Sequence, residues 1–172
     1  SELNIYEGTV AVDSVSNGGS SSSAGEGADI LITQATFEYT GSTDQTTDVK
    51  VNIRGDATLK NSGTGTITFA GNDKSNNAVS SDFSNNGTSV NMFNLTLDGS
   101  GDGVIEKVDI GAGKLIKNGT GEWTLKESNF FFGGIDINDG TLSGEADSLK
   151  ANTVTNNGTL EFDQTNNQSY YG

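Results

Sequence analysis

The chain contains no cysteine, no proline and no histidine. Without cysteine there is no disulfide and no zinc–thiolate centre. Without histidine or cysteine, neither the Ser-His-Asp nor the Cys-His arrangement can be assembled. Basic residues are scarce, 9 against 23 acidic, and the net charge is −14. A field of that sign repels phosphate backbones and anionic lipid, so nucleic acid is excluded as a partner and membrane insertion is not expected. No stretch approaches the roughly 18 apolar residues of a membrane-spanning helix. No signal peptide is visible, and Ser1 is compatible with removal of one. Hydrophobic residues make up only 31% of the 172 residues and charged residues 19%; Gly, Ser, Thr and Asn fill the difference.

The few apolar residues are not scattered. Ile30 and Ile32 alternate, as do Ala35, Phe37 and Tyr39, then Val49, Val51 and Ile53, then Ile67 and Phe69. Phe93, Leu95 and Leu97 follow, with Val108 and Ile110, Ile135 and Ile137, and finally Leu160 and Phe162. Period two of this kind predicts short strands with one buried face and one wet face. Gly, Asn or Asp closes nearly every run, as at Gly55-Asp56, Asp98-Gly99, Asn118-Gly119 and Asp139-Gly140, where tight turns need left-handed backbone. Helix signals reduce to a turn or so around "EADSLKA", Glu145 to Ala151.

Many short strands with regular turns are compatible with a sandwich, a barrel or a solenoid. One phrase favours the solenoid. "KNSGTGTITF" (Lys60 to Phe69), "KNGTGEWTL" (Lys117 to Leu125) and "NNGTLEF" (Asn156 to Phe162) repeat a turn followed by a strand. The glycine of "SGT" or "NGT" falls at positions 63, 87, 119 and 158, at irregular intervals of one or two coils. The expected fold is therefore all-β, a single β-solenoid of roughly seven to eight coils and roughly 35 Å tall, in which the phrase marks a recurring corner. A sandwich is the alternative.

The segment "LIKNGTGEWTLKESNFFFGGIDINDGTL", Leu115 to Leu142, resembles the autotransporter-associated β-strand repeat of passenger domains, and "ATFEYTGSTDQTTD", Ala35 to Asp48, resembles another phrase of the same proteins. The resemblance implies a right-handed parallel β-helix at a bacterial cell surface or secreted from it, with no catalytic residues. The membrane-embedded barrel of autotransporters has no counterpart in the sequence, which leaves a fragment or a free relative. Where the family writes "NTYTGG", this chain has Asn129-Phe130-Phe131-Phe132-Gly133-Gly134. Phe131 takes the place of the tyrosine and should face inward; Phe130 and Phe132 replace threonines and should face outward. They are expected either to lie beneath a neighbouring loop or to contact another chain.

The chain divides on paper into a strand-like start, residues 1–15, a Gly/Ser-rich linker, 16–29, and a solenoid body, 30–172. Leu3, Ile5, Val10, Val12 and Val15 give the start strand character, and the "SNGGSSSSAGEGAD" run gives it reach. Strand addition to a neighbouring copy follows as an expectation. The duller alternative makes residues 1–15 the first coil.

Three motifs bear on chemistry. "DGSGDGVIEKVD" has the spacing of a calcium loop, with ligands from Asp98, Ser100, Asp102, the Val104 carbonyl and Asp109, and with Gly103 at the sharp turn. A polar turn is the alternative, and no cofactor is otherwise required. Arg54-Gly55-Asp56 matches the tripeptide of integrin ligands, although a Gly-Asp turn between strands is expected there anyway. The N-x-S/T sequences at Asn86, Asn94, Asn118 and Asn157 suit turns. No spacing singles out a carboxylate pair for glycoside hydrolysis, so an enzyme is not expected. The sequence points first to an extracellular structural subunit that binds copies of itself in a filament or surface layer. The alternative is a passenger fragment acting as an adhesin on a host-cell or glycan surface.

Overall fold

A computed structural model describes residues 2–27, 29–71, 77–81 and 92–164. The described residues form nineteen strands in successive coils. The first coil holds β1 (Glu2–Ile5) and β2 (Gly8–Val12); the second holds β3 (Asp29–Ile32), β4 (Ala35–Tyr39) and β5 (Gln45–Thr47). The third holds β6 (Lys50–Ile53), β7 (Ala57–Asn61) and β8 (Ile67–Phe69), and the fourth β9 (Val79–Ser81), β10 (Leu95–Gly99) and β11 (Gly103–Ile105). The fifth holds β12 (Val108–Gly111), β13 (Leu115–Lys117) and β14 (Glu122–Leu125), and the sixth β15 (Phe130–Phe131), β16 (Ile135–Ile137) and β17 (Thr141–Gly144). The last adds β18 (Val154–Asn156) and β19 (Thr159–Phe162).

Successive coils deliver their strands in the same order to three parallel sheets, the first coil to the first and second sheets and the last coil to the second and third. The first sheet runs β1-β3-β6-β9-β12-β15, the second β2-β4-β7-β10-β13-β16-β18, the third β5-β8-β11-β14-β17-β19. This is a β-solenoid. Seven rungs in the second sheet, with a typical strand spacing of ~4.8 Å, make a rod about 30 Å tall. Purely parallel stacking demands a repeating chain path, because each strand must return one rung higher with the same face inward.

The period-two residues fill the interior. Phe37, Leu59 and Leu97 stack in register, as do Leu95, Leu115 and Ile135. Phe37 and Phe69 meet edge to face with ring centroids 6.2 Å apart. Between the terminal coils most of these side chains are buried, Phe93 only partly, and full burial stabilises the rod by about 1.5–3 kcal/mol for each large aliphatic or aromatic residue.

The corner between the second and third sheets explains the repeated phrase. Gly63 stacks on Gly41, Gly101 on Gly63, and Gly121 on Gly101; beside them Gly119 stacks on Gly99, Gly140 on Gly119, and Gly158 on Gly140. A Cβ at Gly63 or Gly119 would fall inside the backbone of the coil below. Backbone bonds cross at the same corner, Gly65 N–H to Gly41 O at 3.2 Å and Gly121 N–H to Gly99 O at 3.0 Å. The phrase thus marks one corner, but its first glycine occupies two neighbouring files: Gly63 aligns with Gly101 and Gly121, whereas Gly119 and Gly158 share the other. Gly87 lies outside the described residues.

The start of the chain departs from the expected free strand. β1 pairs in parallel with β3, and β2 with β4, so residues 2–12 form the first coil of the same rod. The supposed linker is a loop tied down across β5: Val15 N–H donates to Gln45 Oε1 at 2.5 Å, Thr47 Oγ1 to the Ser16 carbonyl at 2.7 Å, and Gly18 N–H to Asp48 Oδ1 at 2.7 Å. Ser14 and Ser23 close the loop on itself. The physical reason is the open edges of β3 and β4, which the apolar start of the same chain reaches first. At the other end, "EADSLKA" forms a single turn, with the Ser148 and Leu149 N–H groups on the Glu145 carbonyl.

Candidate functional site

β15 is the last strand of the first sheet. It pairs with β12 through an irregular register in which Phe130 faces Asp109 and Phe131 faces Gly111. Such a bulge re-aims the residues that follow it. Phe131 is buried at 2% exposure, while Phe130 and Phe132 stand out at 44% and 60%. Their rings lie 6.1 Å apart, inclined by 53°.

Where a further rung of this sheet would lie, the chain makes the turn after β17 instead. Side-chain amides fasten that turn to β15. Asn129 Nδ2 donates to the Ser148 carbonyl at 2.9 Å, and Asn152 Nδ2 to the Phe132 carbonyl at 3.2 Å. Asn129 Oδ1 also accepts from Val108 N–H at 2.6 Å, so its amide is fully used in construction. Between β15 and the turn opens a groove of about 510 Å3. The three phenylalanines and Ala151 form its apolar part; Ser128, Asp147, Lys150 and Asn152 are exposed around its rim. The outward pair Phe130 and Phe132 was legible from strand alternation. The opposite wall was not, because nothing local in residues 147–152 shows which strand they cover.

The other sequence-derived residues lie elsewhere. Ile5 and Val12, expected at an assembly surface, are core residues at 3% exposure, and Leu3 and Val10 pack partly buried against the same core. The calcium-loop positions are spread along three strands: Asp98 on β10, Val104 on β11 and Asp109 on β12, one in each sheet. The turn residues Ser100 and Asp102 lie between β10 and β11. Asp102 Oδ1 accepts the Glu122 N–H at 2.9 Å, and Asp109 Oδ1 accepts the Gly111 N–H at 3.3 Å. Among the described residues no three acidic side chains converge on a metal-sized space. Gly103 is strand, not a sharp turn: it leaves room for the Trp123 ring on the next coil. Arg54-Gly55-Asp56 makes the tight corner between β6 and β7. Gly55 lies against the Gln34 backbone and Asp56 Oδ1 accepts the Asn94 N–H at 2.8 Å, so the acidic member of the tripeptide is already engaged.

Lys117 was missed as an individual. It points inward in β13 between Leu97 and Ile137, at 0% exposure. Its Nζ donates to the carbonyls of Asn118 at 2.7 Å, Gly119 at 2.8 Å and Asp139 at 3.3 Å. Burial lowers its pKa, against the opposing pull of Asp139, Asp98 and Asp102. The ammonium therefore serves the carbonyls of the glycine corner, near two carboxylates of the supposed calcium loop. Its inward place in the alternation Leu115-Ile116-Lys117 was the available signal.

The chain is similar to a stretch of a much longer protein. It is 33% identical over 165 residues to the adhesin BmaC autotransporter of Brucella suis biovar 1 (strain 1330), and the match takes in 90% of this chain and 4% of that adhesin. No protein-family model matches the chain, and no solved structure does. The similarity joins this rod to one short stretch of an autotransporter adhesin.

Proposed function

We propose that this chain is a rod segment of the kind that builds autotransporter adhesins, displayed outside a bacterial cell and holding contact residues at fixed heights. The observation that carries the reading is the similarity to the Brucella adhesin across nine-tenths of a chain whose described residues stack as a solenoid. A parallel solenoid suits the task. Its stability comes from neighbouring coils, so its outer residues are released from core packing and can vary to suit a partner. The reading gives the chain no catalytic role and no required cofactor. Beads coated with the folded chain should bind host cells saturably, and beads coated with the heat-unfolded chain should not. Equal retention of both would remove the reading.

Self-assembly is the second reading. It draws on Phe130 and Phe132, two adjacent aromatic side chains left exposed at the surface of the rod. Exposed large apolar side chains of this kind suit contact with a second copy. Sedimentation velocity over a hundredfold concentration range decides it: growth of the mean mass supports a filament, and a single invariant species discards it.

A further inference from the structure

We infer that the groove between β15 and the turn at residues 147–152 is a binding site for an uncharged oligosaccharide, with Phe130 and Phe132 as its stacking platform. This deepens the adhesin reading and rests on it only for the groove being displayed outside a cell.

Four observations converge on that ligand class. The first is the pair of rings. Two exposed aromatic side chains 6.1 Å apart and inclined by 53° offer two separate apolar faces, not one flat patch. A pyranose presents comparable small apolar faces of C–H groups, ringed by hydroxyls. The second is the rim. Asp147, Lys150, Asn152 and Ser128 supply acceptors and donors within the same groove as the rings. Polyhydroxylated ligands need that mixture, whereas a purely apolar partner would leave these groups without water or replacement bonds. The third is charge. The one carboxylate and the one ammonium of the groove offset each other, and the chain around them carries −14, which disfavours an anionic ligand. The fourth is the blocked edge. Asn129 and Asn152 staple the turn over β15, and the Phe132 carbonyl already accepts the Asn152 amide. An extended peptide therefore lacks the free backbone ladder that strand addition requires. The groove, at about 510 Å3, is of a size that holds a small ligand, which fits a few sugar units.

The outer face of the first sheet continues the groove with polar side chains. Asn52, Ser80 and Asp109 run in register up to Phe130, and Ser80 Oγ bonds Asn52 Oδ1 at 3.2 Å. A longer glycan could follow that file along the rod.

The test uses the whole chain on an array of neutral and charged oligosaccharides, followed by calorimetric titration with the best neutral binder. A Phe130→Ser/Phe132→Ser double variant is compared in parallel. Both side chains are outward, so its melting midpoint should match the parent. The expected result is saturable binding to neutral glycans that weakens at least about tenfold in the double variant. No binding to any neutral glycan, binding confined to charged glycans, or binding unchanged in the double variant overturns the inference. So does self-association of the parent that the double variant abolishes, since the groove would then hold a second copy. If beads bearing the parent still bind cells while the array is blank, the groove assignment fails and the adhesin reading stands. If the array is positive and the beads fail, the reverse holds.

Discussion

Gly103 and Trp123 are register partners on adjacent coils, and the glycine exists to receive the indole. A Cβ on Gly103 would enter the Trp123 ring. Trp123 is wholly buried, and its Nε1 donates to the Asp98 carbonyl at 3.3 Å. Gly103→Ala should destabilise the rod by about 1–3 kcal/mol through overpacking, and Trp123→Leu by about 2–4 kcal/mol through the cavity it leaves. The double variant should cost less than the sum, because the smaller side chain releases the clash. Urea unfolding of the four proteins measures the coupling; strict additivity would show that the two residues do not compete for one space.

Lys117 should matter more for its hydrogen bonds than for its charge. Lys117→Met keeps most of the stem between Leu97 and Ile137 but leaves the carbonyls of Asn118, Gly119 and Asp139 without their donor. The expected loss is about 2 kcal/mol at neutral pH, read from the urea midpoint. Burial lowers the lysine pKa, so the folded state sheds the proton before the unfolded chain does. The parent should therefore gain stability relative to Lys117→Met as pH climbs from the lowered folded value toward the ordinary lysine value. A more stable methionine variant at neutral pH would mean that desolvation of the ammonium outweighs its three bonds.

Glu38 governs part of the acid response. Its carboxylate accepts the Ser62 hydroxyl at 2.6 Å and pairs with Lys60 at 3.0 Å, and these two partners, in that order, hold its pKa below the usual value. The stabilisation is present above the unfolded pKa and disappears as pH falls through the lower folded one. Glu38→Gln should cost under about 1 kcal/mol at pH 7. Parent and variant should converge once acid has protonated the folded-state carboxylate, and a gap that persists there would point to packing.

Ile5 and Val12 should behave as core residues. Ile5→Ala is expected to cost about 2–4 kcal/mol in urea unfolding and to leave the sedimentation coefficient of the folded protein unchanged. A change in association without loss of stability would restore these residues to an assembly surface.

Calcium should have no effect on the fold. Asp98, Val104 and Asp109 belong to three different sheets, and the carboxylates of Asp102 and Asp109 already accept backbone N–H groups. Melting curves with millimolar calcium and with chelator should superimpose. A calcium-dependent rise in the midpoint would show that the ligands do assemble.

Much of this rod was determined by local sequence. Alternation in "ATFEY" and "NLTL" sets strand and inward face, because side chains on a strand point to opposite sides whatever surrounds them. Glycines at the corners set where the chain bends. The repeated phrase then leaves stacking as the way to bury so thin a set of apolar residues. Stacking register belongs to the tertiary structure, because it depends on contacts between positions about a coil apart. That is why Gly63 shares a file with Gly101 and Gly121 and not with Gly119, and why Gly103 answers to Trp123. The same non-local contacts turn Lys117 into a clamp on backbone carbonyls, fold the first strands onto their own chain, and bring residues 147–152 over β15 to make a groove of three exposed or buried phenylalanines.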